Sequence, residues 1–310
     1  MKGVILAAGK GTRLYPVTRH IPKPLVPVAG KATILHGIER LVEAGILDVC
    51  VVVGESGDAI RDALGDEACG ARLTYVTQTE PRGLAHAVRF ARDFVAADPF
   101  CLYLGDAVYD CSLAPYRARF DESGCANLNL VKPVPDPERF GVAHVEGERI
   151  TRLVEKPSQP DSNLAMAGVY FFREPIWDAI DALQPSARGE YEITDAIQLL
   201  VERGEDVIAG VYEGNWFDTG TLSSLLTCSG FLLSGGMRVG ARSQVTGAIG
   251  RNVAIGADAM VRCAAIENSI VLEGARVDCE GVIRGCLIGG SVKATALTDV
   301  IVWNDESVTP

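Results

Sequence analysis

From about residue 235 onward the chain carries an aliphatic side chain every five or six positions, at Ile249, Ile255, Val261, Ile266, Val271, Val277, Val282, Leu287, Val292 and Leu297. Glycine follows the aliphatic directly at 239–240, 249–250 and 255–256. Neither an α-helix nor an alternating strand keeps that period. It suits a parallel β-helix, in which each coil rests its aliphatics on those of the next and small residues turn the corners. The stretch is long enough for roughly three coils, sufficient to stack.

The preceding residues are built otherwise. Short apolar runs alternate with helical patterns: Val4-Ile5-Leu6, a helix over 34–44, "DVCVVVG" over 48–54, a helix over 57–64, "LTYVTQ" over 73–78, a helix over 83–97 and "FCLYLGD" over 100–106. The continuous run at 48–54 reads as a strand buried on both faces. Strand–helix alternation predicts an α/β domain with a mostly parallel sheet and right-handed crossovers. Ligands then belong at the carboxyl ends of the strands. The expected organisation is a domain over 1–234, ending in a connecting helix over 221–233, and a β-helix over 235–310.

Composition excludes several classes. A net charge of −11 argues against nucleic acid as a partner, so an anionic ligand needs a local basic cluster. The apolar start is too short for a signal or a span, and no later run reaches membrane length, so a cytoplasmic protein is expected. The nine cysteines show no C-x-x-C pair and read as reduced thiols.

The chemistry begins at "GVILAAGKGTRLYPVT", residues 3–18. A P-loop is excluded because Gly3 and Gly9 are six apart and Lys10 is followed by Gly11. A dinucleotide fingerprint is excluded because position 14 is Leu. What remains is a glycine loop whose backbone N–H groups can approach phosphate closely, with Arg13 as a bidentate clamp and Lys23 as a second cation.

The sequence Gly9-x-Gly11-Thr12-Arg13-Leu14, followed by Lys23-Pro24, resembles the signature of the sugar-1-phosphate nucleotidyltransferases. The likeness extends over essentially the whole chain. It implies a Rossmann-like mixed, mostly parallel sheet flanked by helices, then a small left-handed parallel β-helix. It places nucleotide contacts at Leu6, Ala8, Gly9, Gly11, Thr12 and Arg13. "QTEPRGLAHA" resembles the base-recognition segment, with Gln78, Pro81 and Gly83 at the nucleobase and Leu84 favouring a pyrimidine. "LGDAVYD" supplies Asp106 as a Mg²⁺ ligand, with Ala107 where the family has Asn. "NWFDTGT" supplies Asp218 as the second ligand, beside Trp216.

On the sugar side the resemblance points to Gly141, preceded by Phe140 for the commoner Tyr. It also points to Glu155 and Lys156 of "LVEKP", Val169 and Tyr170 of "AGVYFF", and Arg188. Tyr170 reads equally well as core. Arg13, Lys23, Lys156 and Asp106 are the expected catalytic set. The implied reaction joins dTTP, or alternatively UTP, to glucose 1-phosphate with release of pyrophosphate. The sugar phosphate is already anionic, so charge neutralisation and in-line positioning replace a general base. His20, His36, His86 and His144 read as incidental.

Two other readings are weighed. Acyl-transferring relatives carry a catalytic histidine in a longer β-helix, and no histidine follows His144 here. A non-catalytic subunit would have lost the charged residues that this chain keeps. The β-helix is expected to assemble a homo-oligomer, trimer or tetramer. Removing 236–310 is then expected to change oligomer size and leave transfer intact.

Overall fold

The computed structural model describes residues 1–310. Its contacts divide the chain into two compact units: Met1–Gly9 with Gly37–Gly105 and Tyr109–Trp216, and Lys10–His36 with Asp106–Val108 and Phe217–Pro310. The contacts therefore do not divide at 234/235, because residues 10–36 group with the C-terminal coils.

The first unit holds a ten-stranded mixed sheet. Its order is Gly141–Glu146, Arg149–Glu155, Val207–Val211, Asn127–Pro133, Leu164–Phe172, Phe100–Leu104, Lys2–Ala7, Asp48–Val53, Ala71–Thr77 and Glu67–Ala68. Lys2–Ala7 runs parallel to both neighbours, with Ile5 opposite Val51 and Tyr103. Leu164–Phe172 runs antiparallel to Phe100–Leu104, which makes the sheet mixed. Val49 to Val52 are fully buried, as the unbroken apolar run requires.

The helix expected over 57–64 is observed as Gly57–Leu64. The helix expected over 83–97 is instead two short helices, Leu84–Arg89 and Arg92–Val95. No glycine or proline marks that break. Phe90 and Ala91 donate to the carbonyls three residues back, tightening the chain into a turn that local pattern does not announce.

In the second unit five short strands stack in parallel: Met237–Val239, Val253–Ile255, Ser269–Val271, Leu287–Gly289 and Ile301–Trp303. They make one coil more than expected. The interior is filled by Ile255, Val261, Ile266, Val271, Val277, Ile283, Ile288 and Val292, among others. The sequence period slips by one residue near 282. Val282 is 41% exposed and Ile283 points inward. Leu287 faces away from the interior cluster that holds Ile288. Alternation within a strand decides which of two adjacent aliphatics is inside, and spacing alone does not.

The coils also carry an outer apolar face. Ala254, Ile270, Leu272, Leu287 and Ile301 form a cluster with Leu14, Val17, Val26 and Val28 from residues 10–36, and with Leu222, Leu225 and Leu226. Those leucines lie on the helix Leu222–Leu232, which starts with a capping box between Thr221 and Ser224, close to the expected 221–233. No disulfide joins any of the nine cysteines. No helix is long and apolar enough to cross a membrane.

Candidate active site

Each unit concentrates charge and exposed backbone in its own cluster. In the second unit the glycine loop runs into three short 3₁₀ turns, Thr12–Leu14, Val17–Arg19 and Lys23–Leu25. Gly11 has φ +64°, and a Cβ there would lie 2.8 Å from the Cβ of Lys23, so the turn and the lysine share space only glycine leaves. Its carbonyl accepts from Leu14 N–H at 2.9 Å and from the Thr18 hydroxyl at 2.7 Å. Leu14 is fully buried and anchors the loop, leaving Thr12 and Arg13 exposed.

Lys23 donates to the Asp106 carboxylate, with the lysine side chain 11% and the aspartate 35% exposed. Burial raises the Asp106 carboxyl, but the Lys23 charge and hydrogen bond, with Arg13 behind them, hold it below the ordinary carboxylate range. Thr219 donates twice to the Asp106 carbonyl, from its N–H at 3.0 Å and its hydroxyl at 2.8 Å, which brings the neighbouring Asp218 into the same cluster. Asp218 Oδ1 accepts Gly220 N–H at 3.0 Å. A Cβ on Gly220 would stand 2.6 Å from Arg13 Nη2 and 2.9 Å from Asp218 Oδ1, so arginine and aspartate meet over that glycine. Arg13, Lys23, Asp106 and Asp218 are thus gathered in one place from three separate parts of the sequence.

Two carboxylates without a third acidic, histidine or cysteine neighbour are too few for an all-protein metal cage. They are what Mg²⁺ uses when phosphate oxygens and water complete its shell. The donor set fits that cation. Ala107 is buried at the start of its strand, where the family's Asn is expected.

The first unit holds the remaining predicted residues. Leu6 is a core side chain, and its carbonyl accepts Gly105 N–H at 3.0 Å. Ala8 is half-buried and Gly9 exposed. Gln78 is 6% exposed, and its amide donates to His86 Nδ1 at 3.0 Å and to the Gly83 carbonyl at 3.4 Å. Pro81 is exposed beside it. His86 is therefore not incidental: it orients the Gln78 amide. Burial, then Arg82 and Arg89, lower its pKa and favour the neutral ring, and the Gln78 N–H contact selects the tautomer whose Nδ1 accepts.

Glu155 forms the centre of a second group. Its carboxylate accepts from the Thr194 hydroxyl at 2.6 Å and from Arg188 Nη1 at 3.3 Å, and Lys156 Nζ lies 3.5 Å away. Gly141 lies under it: a Cβ there would meet Glu155 Oε2 at 3.1 Å. Lys156 has φ +42°, an unfavourable conformation for a residue with a Cβ, and its N–H is tied to the Phe140 carbonyl at 3.0 Å. Arg188, expected on the sugar side, is engaged by carboxylates, with Nη1 on Glu155 and Glu192 and Nη2 on Glu190.

Glu192 and Asp195 carry no mark in the sequence that would join them to Glu155. Burial, and then Glu155, raise both carboxyls, which identifies a crowded acidic group that only the packing reveals. Val169 is fully buried. Tyr170 is 3% exposed and stacked on Phe172, so it belongs to the core; burial first, and Glu155 second, push its phenol well up. Trp216 packs edge-on to Phe140 at 5.1 Å, and its indole N–H is buried with no acceptor. An orphan donor of that kind costs about 1–3 kcal/mol until something accepts it.

The nucleotidyl transferase family model matches residues 2–235. A glucose-1-phosphate thymidylyltransferase of Streptomyces griseus is 37% identical over 97% of this chain and 95% of its own length. The UTP–glucose-1-phosphate uridylyltransferase AglF of Haloferax volcanii is 41% identical over 71% of this chain and 91% of its own. Among solved structures, a Bacillus anthracis protein described as a glucose-1-phosphate thymidylyltransferase, in complex with sucrose, superposes with a TM-score of 0.70. It is 35% identical and covers 74% of this chain and 94% of its own. The chain belongs to the nucleotidyl transferase family.

Proposed function

We propose that the enzyme transfers thymidylyl from dTTP to glucose 1-phosphate, giving dTDP-glucose and pyrophosphate. The observation that carries this reading is the joint presence of Arg13, Lys23, Asp106 and Asp218 in one cluster. Two cations and two carboxylates suit a triphosphate that arrives with a divalent metal. Arg13 and Lys23 bind triphosphate oxygens, and the backbone N–H groups from Gly9 to Thr12 complete the cradle. Asp106 and Asp218 would hold Mg²⁺, which when bound supplies neutralisation of phosphate charge. Gln78, oriented by His86, pairs with the imide edge of the pyrimidine, with Pro81 and Gly83 beside it.

Glu155 accepts from sugar hydroxyls, and the Gly141 backbone and the Trp216 N–H are further partners. Lys156 binds the sugar 1-phosphate, with Arg188 as an added positive charge above its acidic neighbours. The uridylyltransferase among the relatives makes UTP the alternative donor. The full-length similarity to the Streptomyces griseus enzyme favours dTTP.

The test is pyrophosphate release over a matrix of five nucleoside triphosphates and several hexose 1-phosphates with Mg²⁺. The highest kcat/KM is expected for dTTP with glucose 1-phosphate. Release with no pair, or a preference for a purine nucleotide, overturns the reading. Replacing Lys156 with Ala is expected to raise KM for the sugar phosphate about 10–100-fold, the range of a lost hydrogen bond to a charged group. KM for the nucleotide is expected to stay unchanged, and equal loss on both would remove Lys156 from that role.

Nucleotide affinity should weaken only as pH falls below about 6.5, the ordinary histidine value, because the lowered pKa of His86 keeps the ring neutral down to there and protonation would replace the Nδ1 acceptor with a donor. His86→Asn, which retains an acceptor, should flatten that limb. An unchanged limb would remove His86 from the Gln78 arrangement.

The proposal extends to a cytoplasmic location and to a homo-oligomer, trimer or tetramer, joined through the coils. Met237, Val239, Met260 and Val282 are each more than 40% exposed on separate strands of the coils, apolar surface that association would cover. Light scattering at a monomer mass would remove the oligomer.

A further inference from the structure

We infer that the hairpin formed by Ile301–Trp303 and Glu306–Val308 is a latch on the glycine loop, so that the C-terminal coils position the nucleotide site. Four coils' worth of strands pair in parallel, but Glu306–Val308 turns back antiparallel on Ile301–Trp303. The turn is two residues, Asn304 and Asp305, with Asn304 at φ +52°. Asn304 Oδ1 accepts Ser291 N–H at 2.8 Å, which pins the turn to the coil beneath. Trp303 and Glu306 are direct cross-strand partners and stand side by side. A Cβ on Gly289 would lie 2.3 Å from the Trp303 ring, so the indole lies flat against the coil only because that position is glycine.

The pair meets two consecutive residues of the signature region. The His20 ring stacks on Trp303 with centroids 4.3 Å apart and planes 9° apart. Arg19 pairs with Glu306, and its guanidinium also lies over Tyr15 at 4.7 Å. One residue earlier, the Thr18 hydroxyl holds the Gly11 carbonyl. Val17, fully buried, packs in the cluster that contains Leu287 and Ile301. Contacts thus run without a gap from Trp303 and Glu306, through Arg19 and His20, to the glycine whose neighbours Thr12 and Arg13 are assigned to phosphate.

Arg19 and Glu306 are each about half exposed, 51% and 47%, so this ion pair adds little to global stability. Its effect is local, on where the 3₁₀ turn sits. Arg19, His20, Trp303 and Glu306 are therefore positioning residues, acting on the nucleotide through the loop.

The inference rests on the reading that the glycine loop binds the nucleotide, and the experiment separates the two. dTTP binding with Mg²⁺ is measured by calorimetry for the full chain, for Arg13→Gln, and for Trp303→Ala, Trp303→Phe, Glu306→Gln and Arg19→Ala. KM for the sugar phosphate and the unfolding temperature are measured in parallel. Trp303→Ala is expected to weaken dTTP about tenfold, the scale of coupling between contacting residues, and Glu306→Gln, which loses only a half-exposed ion pair, about two- to fivefold. Sugar phosphate KM and unfolding temperature are expected to hold, Trp303→Phe to restore binding, and Arg19→Ala with Glu306→Gln to cost no more than either alone. Wild-type dTTP affinity in Glu306→Gln and Arg19→Ala overturns the latch, and so does a loss that tracks unfolding temperature or strikes both substrates equally. If the unaltered chain binds no nucleoside triphosphate, or Arg13→Gln has no effect, the underlying reading has failed instead.

Discussion

Lys23→Met is expected to lower kcat/KM about a hundred- to a thousandfold, the loss typical of removing one preorganised charge-stabilising donor. The lysine is 11% exposed and methionine keeps most of its stem, so the packing around Gly11 changes little. What disappears is the ammonium that faces Asp106. That carboxylate then keeps only the more distant Arg13, at a cost of about 1 kcal/mol, because water already reaches a third of it. The expected drop in unfolding temperature is therefore only a few degrees. Steady-state kinetics beside a thermal melt decide the matter. A melt that collapses with activity would make Lys23 a structural residue, and a kcat/KM within threefold of the unaltered enzyme would remove it from the catalytic set.

Truncation before residue 236 is expected to abolish nucleotide binding, contrary to the expectation from sequence that transfer survives it. Leu14, Val17, Val26 and Val28 have no exposed surface, and Ala254, Ile270, Leu272, Leu287 and Ile301 in the coils share their cluster. Each large aliphatic returned to water costs about 1.5–3 kcal/mol. Four of them approach the 5–15 kcal/mol that hold a whole domain together. The loop that begins at Lys10 then loses the wall it packs on. The measurement is dTTP binding and circular dichroism on the truncated chain, with the full chain as control. A truncated protein that melts cooperatively and releases pyrophosphate at the full rate would restore an assembly-only role for the coils.

The strands at 2–7, 48–53 and 100–104, the helix at 57–64 and the existence of the coils were legible because each is written in local periodicity. Arg13, Lys23, Asp106 and Asp218 were legible by resemblance, and the fold brings them together. His86 was not legible, because a histidine eight residues from Gln78 carries no mark of which side chain it will meet. The Glu155–Glu192–Asp195 group and its capture of Arg188 were hidden for the same reason. The inward choice of Ile283 over Val282 was hidden because spacing marks both equally.

By itself the sequence determined the architecture and the stock of charged groups, since backbone geometry repeats with a period that side-chain polarity must follow. Only the tertiary structure decided that residues 10–36 pack with the coils and that Trp303 and Glu306 stand against His20 and Arg19. Contacts nearly three hundred residues apart in the chain are chosen by shape and burial when the chain closes, and no local pattern records them.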